Sequence, residues 1–98
     1  MIIRIVKMTF LPEGIPDFLS LFEARKSQIR SQEGCTHLEL LKDLAQDNIY
    51  FTYSYWEDPK YLEQYRNSAF FADTWAKTKA LFQDKAQAWS VVREVVLA

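Results

Sequence analysis

The sequence contains few of the residues on which metal centres and disulfide frameworks depend. It has one cysteine, Cys35, and one histidine, His37, in 98 residues. A single cysteine cannot form a disulfide within the chain and has no CxxC partner for zinc. A metal site would have to combine His37 with carboxylates, which is a thin set of ligands. The sequence therefore predicts neither a disulfide framework nor a metal site.

A charge excess and a long apolar run are also missing. The chain has 12 Lys and Arg against 13 Asp and Glu, a net charge of -1. This balance gives no electrostatic reason to expect nucleic acid or an anionic membrane as partner. Arg4 and Lys7 interrupt the apolar N-terminal stretch, and no small-residue cleavage site follows, so we expect neither a signal peptide nor a membrane span. We predict one cytoplasmic domain over residues 1–98.

What is present is a regular series of amphipathic segments. Residues 2–10, 35–42 and the aromatic stretch that ends at Trp56 are rich in β-branched or aromatic residues and predict three strands. Helical spacing predicts a helix over 17–32, with Gly34 as its C-terminal cap. Asp58 and Pro59 are typical of a helix start, and Ser68 of a second start after a break. Residues 88–97 (AWSVVREVVL), most of which are apolar, predict a fourth strand.

This order of strands and helices predicts a ferredoxin-like βαββαβ fold of the α+β class, with a four-stranded antiparallel sheet. Both helical segments then cover one face of the sheet. Alternation places Ile3 and Ile5 on one face of the first strand and the apolar side chains of Ile2, Val6, Met8 and Phe10 on the other. We assign the second set to the uncovered face and predict that a second copy of the chain covers it, giving a homodimer.

The same segments resemble the antibiotic biosynthesis monooxygenase superfamily of dimeric α+β barrels. The resemblance covers nearly the whole chain, in the stretches MIIRIVKMTFLPEG, GCTHLELLKD, NIYFTYSYWEDP, YLEQYRNSAFF and AWSVVREV. Its most specific feature is a tryptophan that ends the third strand before an acidic-Pro helix start, here Trp56 to Pro59. The resemblance implies a pocket between the sheet and the helices. In some members it implies oxygenation of phenols or quinols without metal, flavin or haem.

The sequence departs from the family pattern at informative positions. Many members carry a histidine on the helix after the tryptophan, where this chain has Tyr65. In the haem-degrading branch an asparagine falls near Lys7, a tryptophan near Tyr65 and the axial histidine near Trp75. Neither Lys7 nor Trp75 can take those roles, so the resemblance implies no haem. We predict that the protein uses no cofactor.

Oxygenation without a cofactor needs a deprotonated aromatic substrate, a group that manages its proton and a dry cavity. His37 is the natural base if it faces the pocket, although it can equally be an exposed residue of the second strand. Trp56 offers an indole N–H and a stacking surface, and in the resembling family this tryptophan faces the pocket. Thr52 and Ser54 share its face, either as pocket hydroxyls or simply as good strand residues.

Other candidates lie on the helices and on the first strand. Phe71 and Trp75 should face the sheet, where such aromatics form core or bind substrate. The hydroxyl of Tyr65 lies where the family often keeps its histidine. Lys7 either places a cation in the pocket or reaches solvent at a strand end.

We therefore predict a homodimeric, cofactor-independent monooxygenase that oxidises a small phenol, quinol or related aromatic with O₂. His37, Trp56 and Tyr65 are the predicted catalytic residues. The predicted substrate-binding residues are Lys7, Thr52, Ser54, Phe71 and Trp75. The alternative is a non-catalytic module that holds a small apolar metabolite in the same pocket, and haem degradation is a third reading.

Overall fold

The chain alternates strands and helices in the order predicted from the sequence. The computed structural model describes all 98 residues. The elements in chain order are β1 (Ile2–Phe10), a short 3-10 turn (Pro12–Gly14), α1 (Ile15–Arg30), β2 (Cys35–Lys42), β3 (Ile49–Trp56), α2 (Pro59–Arg66), α3 (Ala69–Lys79) and β4 (Phe82–Val91).

The four strands form one antiparallel sheet in the order β2-β3-β1-β4. Helices α1, α2 and α3 pack on one side of this sheet, where Phe18 of α1 and Leu62 of α2 are buried. The predicted ferredoxin-like βαββαβ fold is therefore confirmed. We call the other side, which no element of the chain covers, the open face. No helix has both the length and the apolar character needed to cross a membrane.

Local capping explains how the chain turns from β3 into two successive helices. The Asp58 carboxylate accepts a hydrogen bond from the Lys60 N–H at 3.0 Å, and Pro59 follows in the first turn of α2. The Ser68 hydroxyl accepts from the Phe71 N–H at 3.1 Å and starts α3. The predicted helix start and the predicted break before Ser68 are both confirmed.

Helix α1 differs from the prediction at both ends. It begins at Ile15 and ends at Arg30, with Ser31 as its C-terminal cap, so Gly34 does not cap it. Gly34 instead leads into β2 with a positive φ of 80°. A side chain there would also collide with the Tyr61 ring. The glycine is required by the backbone conformation and by the close approach of α2.

The predicted boundaries of the fourth strand were wrong. We predicted residues 88–97, whereas β4 spans Phe82–Val91 and residues 92–98 lie outside any helix or strand. Phe82 follows helical spacing from α3, and the polar residues after it have low strand propensity. Pairing with β1, from Phe10 opposite Phe82 to Ile3 opposite Val91, overrides both signals.

The predicted faces of β1 were also wrong. Met8 and Phe10 face the helices and are buried in one cluster with Phe18 and Tyr50. The odd-numbered residues, among them Ile3, Ile5 and Lys7, lie on the open face. Because β1 carries apolar side chains on both faces, alternation alone did not indicate which face the helices would cover.

Candidate active site

A cavity of about 320 Å³ lies between the helices and the sheet. Ligand sites in proteins commonly have volumes of roughly 300 to 1,000 Å³, so this cavity fits a small ligand. Six predicted site residues line it: Thr52, Ser54, Trp56, Tyr65, Phe71 and Trp75. They come together because alternate residues of β3 face the helices, while α2 and α3 lie above them.

Trp56 forms the fixed floor of the cavity at the end of β3. Its side chain is only 1% exposed, and its indole N–H donates to the Ser54 hydroxyl oxygen at 3.0 Å. The two side chains meet because residues two apart on a strand share a face. The indole donor is therefore already used within the protein, and the ring offers a ligand its flat surface.

Tyr65 of α2 stacks on Trp56, with ring centroids 5.3 Å apart and an interplanar angle of 22°. Burial, with a smaller effect from nearby Cys35, raises the pKa of Tyr65 to about 12. The phenol is therefore protonated at neutral pH. It can donate a hydrogen bond to a ligand oxygen, but it cannot act as a base there.

The aromatic wall continues from Tyr65 along α3. The Phe71 ring lies edge-on to Tyr65 at 5.0 Å and parallel to Trp75 at 6.0 Å. Trp75 in turn lies edge-on to Phe82 at 5.6 Å. These rings make the cavity mostly apolar and favour a flat, aromatic ligand.

The hydroxyl groups that line the cavity differ in whether they are already engaged. Thr74 accepts a hydrogen bond from Arg25 at 2.7 Å, and Thr78 donates to the Thr74 carbonyl oxygen at 2.7 Å. The Ser54 oxygen accepts from Trp56, which leaves its own proton for another partner. The Thr52 hydroxyl makes no side-chain hydrogen bond within the chain. Ser54 and Thr52 are thus the strand hydroxyls available to a ligand.

Two arginines complete the lining and were missed by the sequence analysis. Arg4 of β1 and Arg66 of α2 both border the cavity. Burial, followed by the charge of Arg66, lowers the pKa of Arg4. Arg4 has the same parity as Met8 and Phe10, so a correct face assignment for β1 would have found it. The signal was a charged residue in the row of side chains that the helices cover.

His37 and Lys7, two predicted site residues, lie outside the cavity. His37 stacks on Tyr55 with centroids 4.5 Å apart, and its Nε2 lies 2.6 Å from the Glu39 carboxylate. Lys7 pairs with Phe51 of β3 on the open face. The expectation that they face the pocket is corrected. Lys7 belongs to the odd-numbered residues of β1, which point away from the helices. His37 follows an irregularity in the β2–β3 pairing after Cys35, so Cys35 packs towards α2 whereas Leu38, not His37, reaches the cavity.

No cluster of three or more His, Cys, Asp or Glu side chains is placed to hold a metal ion. Neither His nor Cys lines the cavity. Met8 reaches it but is enclosed by Phe10, Phe18 and Tyr50 in the core. Tyr65 lines the cavity, but burial raises its pKa to about 12, so it does not offer iron a phenolate at neutral pH. The side chains present therefore do not fit the axial ligation of haem iron.

The profile of the antibiotic biosynthesis monooxygenase family matches residues 1–77. No functionally curated protein matches the chain. A conserved protein from Methanosarcina mazei Go1 superposes with a TM-score of 0.89 at 20% identity, over 96% of this chain and 94% of its own. Rv0793 from Mycobacterium tuberculosis gives 0.87 at 14% identity, over 99% and 98%.

A mutant form of SnoaB, a cofactor-independent oxygenase from Streptomyces nogalater, superposes with a TM-score of 0.86 at 18% identity, over 98% of this chain and 95% of its own. These identities show a shared fold. The family profile covers more than three quarters of the chain, from β1 to most of α3. The chain belongs to the antibiotic biosynthesis monooxygenase family.

Proposed function

We propose that this protein is a cofactor-independent monooxygenase that oxidises a small phenol, quinol or related aromatic with O₂. The observation that carries the proposal is the stack of Trp56 and Tyr65 beside two available strand hydroxyls, in a mostly apolar cavity. Membership of the family and the likeness to SnoaB, described as a cofactor-independent oxygenase, support the same reading.

The overall reaction balances without an external reductant. The substrate gives up two hydrogens and gains one oxygen atom from O₂, while the second oxygen atom leaves as water with those hydrogens. All four electrons that reduce O₂ come from the substrate. An ionised phenol passes its first electron to O₂ far more readily than a neutral one, so the protein's task is to bind and stabilise the anion.

The cavity side chains have distinct roles in this proposal. Trp56 and Phe71 hold the ring system, and Trp75 helps to exclude water from the reactive anion. Protonated Tyr65 donates a hydrogen bond to the substrate oxygen, and Ser54 and Thr52 supply further donors. His37 and Lys7 have no part in the proposed site because they lie on the open face.

Oxygen consumption with a panel of hydroquinones and polycyclic phenols tests the proposal. We expect uptake with at least one substrate, and on the order of a tenfold or greater loss of rate in Tyr65→Phe, because one oxyanion donor is removed. Trp56→Phe should lose rate as well. Tyr53→Phe is the matched control, since Tyr53 lies on the open face.

Binding of these compounds without oxygen consumption would instead indicate a non-catalytic module that holds an aromatic ligand. A haem-degrading enzyme would bind haemin and give a Soret band when haemin is added. We expect no such band, because the cavity offers iron no His or Cys ligand.

The proposal includes a cytoplasmic homodimer joined through the open face. Ile5 lies there beside Tyr53, Tyr55 and Trp89, and Trp89 is 45% exposed. An apolar sheet face of this kind favours cover by the same face of a second copy, related by a two-fold axis.

Light scattering after size exclusion at micromolar concentration tests the dimer. We expect twice the chain mass for the native protein and one chain mass for Ile5→Lys, which places a charge on the open face. Leu19→Lys is the matched control, because Leu19 is an exposed apolar residue of α1. A monomer mass for the native protein contradicts the dimer.

A further inference from the structure

Only two of the side chains that line the cavity carry a formal charge, and both are positive. Arg4 comes from β1 and Arg66 from the last turn of α2. No Asp, Glu or His lines the cavity. The whole chain has a net charge of -1, so this positive lining is not the average character of the protein.

Arg4 keeps most of its donors free for a ligand. Its Nη1 donates to the Ser90 hydroxyl at 2.9 Å, and it forms no ion pair with any carboxylate. In the sheet it lies between Ser54 of β3 and Ser90 of β4. A planar guanidinium presents its N–H groups in a fork that matches a carboxylate or sulfonate, so this row of polar side chains can bind an anionic group.

Arg66 is also weakly engaged. Its one ion pair is with Glu63 of the same helix at 3.7 Å, and both side chains are exposed to solvent. Such surface pairs contribute little to stability, so Arg66 can exchange Glu63 for a ligand. Beyond the effect of burial, the charge of Arg66 lowers the pKa of Arg4 more than the Glu63 carboxylate raises it. The two guanidiniums therefore still disfavour each other, and a bound anion between them relieves that cost.

The cavity also lacks a base that would ionise a neutral ligand. Tyr65 holds its proton at neutral pH, and the lining has no carboxylate or imidazole. A ligand that enters with its own negative charge needs no such base. It meets both guanidiniums and the rings of Tyr65, Phe71 and Trp75, all of which line the cavity.

We infer that the cavity selects aromatic anions, with the apolar rings holding the ring system and Arg4 and Arg66 binding a carboxylate, sulfonate or phenolate group. The inference deepens the proposed function because it names a class of substrate. It rests on the proposed function only for the statement that the bound anion is a substrate. The selectivity for anions is a property of binding and can be measured without turnover.

A matched pair of fluorescent probes tests the selectivity. These are 1-anilinonaphthalene-8-sulfonate and neutral N-phenyl-1-naphthylamine, which share one ring skeleton. We expect the ratio of the neutral probe's Kd to the sulfonate's Kd to fall on the order of tenfold or more in the double variant Arg4→Gln, Arg66→Gln. Affinity for the neutral probe should change by less than about twofold. Arg93→Gln, outside the cavity, should leave the ratio unchanged.

Three further variants separate charge from structure. Arg4→Lys keeps the charge but loses the planar fork, so it should keep part of the preference, which a purely structural role of the guanidinium would not. Glu63→Gln removes the competing carboxylate of Arg66 and should raise affinity for the sulfonate. Ala88→Phe fills the cavity and should weaken both probes, which shows that they bind there.

An unchanged ratio of the two Kd values in the folded double variant Arg4→Gln, Arg66→Gln overturns the inference. This holds whether the two affinities stay the same or weaken equally. Neither result depends on oxygen consumption. A protein that shows the anion preference but oxidises no hydroquinone would contradict the proposed monooxygenase while leaving the inference intact. Oxygen consumption with no anion preference would do the reverse.

Discussion

The two faces of the sheet are built from the same strands but differ in burial, packing and charge. Tyr55 and Trp56 are neighbours in β3, yet Trp56 is 1% exposed on the cavity side while Tyr55 lies on the open face against His37. The side that the helices cover combines rings with hydroxyls and two arginines. The open face combines rings with the hydrogen bond between His37 and the Glu39 carboxylate.

The comparison shows that aromatic content alone does not identify a ligand site in this chain. Both faces of β3 carry aromatic rings, and only one of them borders the cavity. What distinguishes the cavity side is the set of small hydroxyl side chains, Thr52 and Ser54, between the strand and the helices.

Truncation of neighbouring aromatic residues should affect stability very differently on the two faces. We expect Trp56→Ala to lower the free energy of unfolding by about 3 to 5 kcal/mol, because it opens a large void. Tyr55→Ala should cost about 1 kcal/mol, since its ring is only partly buried in the chain. Urea unfolding at one fixed protein concentration gives both values. Equal losses would show that the faces do not differ energetically.

Alkaline pH should weaken the cavity side through Tyr65. Its pKa is about 12 in the folded protein against an ordinary value of 10.0, so the folded chain holds the phenol proton more tightly. The stabilising contribution is therefore complete below pH 10 and is lost as the pH rises to about 12. Its size is on the order of 2 to 3 kcal/mol.

The free energy of unfolding is measured for the native protein and for Tyr65→Phe at a series of pH values between 9 and 12. The difference between the two proteins isolates the contribution of Tyr65 from those of the other tyrosines. The variant has no phenol proton at this position and should lose less stability over the range. Parallel pH profiles for the two proteins would contradict the assignment to Tyr65.

The hydrogen bond between Trp56 and Ser54 should be visible in a double-mutant cycle. Ser54→Ala leaves the buried indole N–H without its acceptor, and we expect a loss of about 1 to 3 kcal/mol. The same change in a Trp56→Phe background should cost clearly less, because no N–H remains to be satisfied. Equal costs in both backgrounds would mean that this hydrogen bond does not stabilise the fold.

The smallest effect is expected on the open face, at the contact between His37 and the Glu39 carboxylate. Both side chains are about two fifths exposed, and exposed pairs of this kind contribute roughly 0 to 1 kcal/mol. Glu39→Gln should therefore change the free energy of unfolding by less than about 1 kcal/mol. A loss as large as that of Ser54→Ala would give this face a greater share of the stability than its exposure indicates.

The sequence predicted the topology and most of the helix starts because those depend on local signals. Asp58, Pro59 and Ser68 act within a few residues of where they lie, and the structure confirms each of them. Strand β4 was misplaced because its position depends on pairing with β1, about 80 residues away in the chain. Propensity carries little information about such long-range pairing.

The candidate site was predictable where one residue fixed the position of the others. Trp56 fixed the face of Thr52 and Ser54, since alternation within a single strand needs no knowledge of the sheet. The positions of His37, Lys7 and Arg4 depended on which face the helices cover, and both faces of β1 are apolar. That ambiguity led to two residues being assigned to the pocket and one being overlooked.

The bond from the indole of Trp56 to Ser54 has a consequence for how a ligand changes during oxidation. With the indole N–H engaged, the neutral polar groups that remain for a ligand are rotatable hydroxyls, on Thr52, Ser54 and Tyr65. A hydroxyl hydrogen turns about its C–O bond at little cost, unlike an N–H fixed in a rigid ring. A ligand oxygen that begins as a hydroxyl and ends as a carbonyl can therefore keep its partners while no backbone or ring moves.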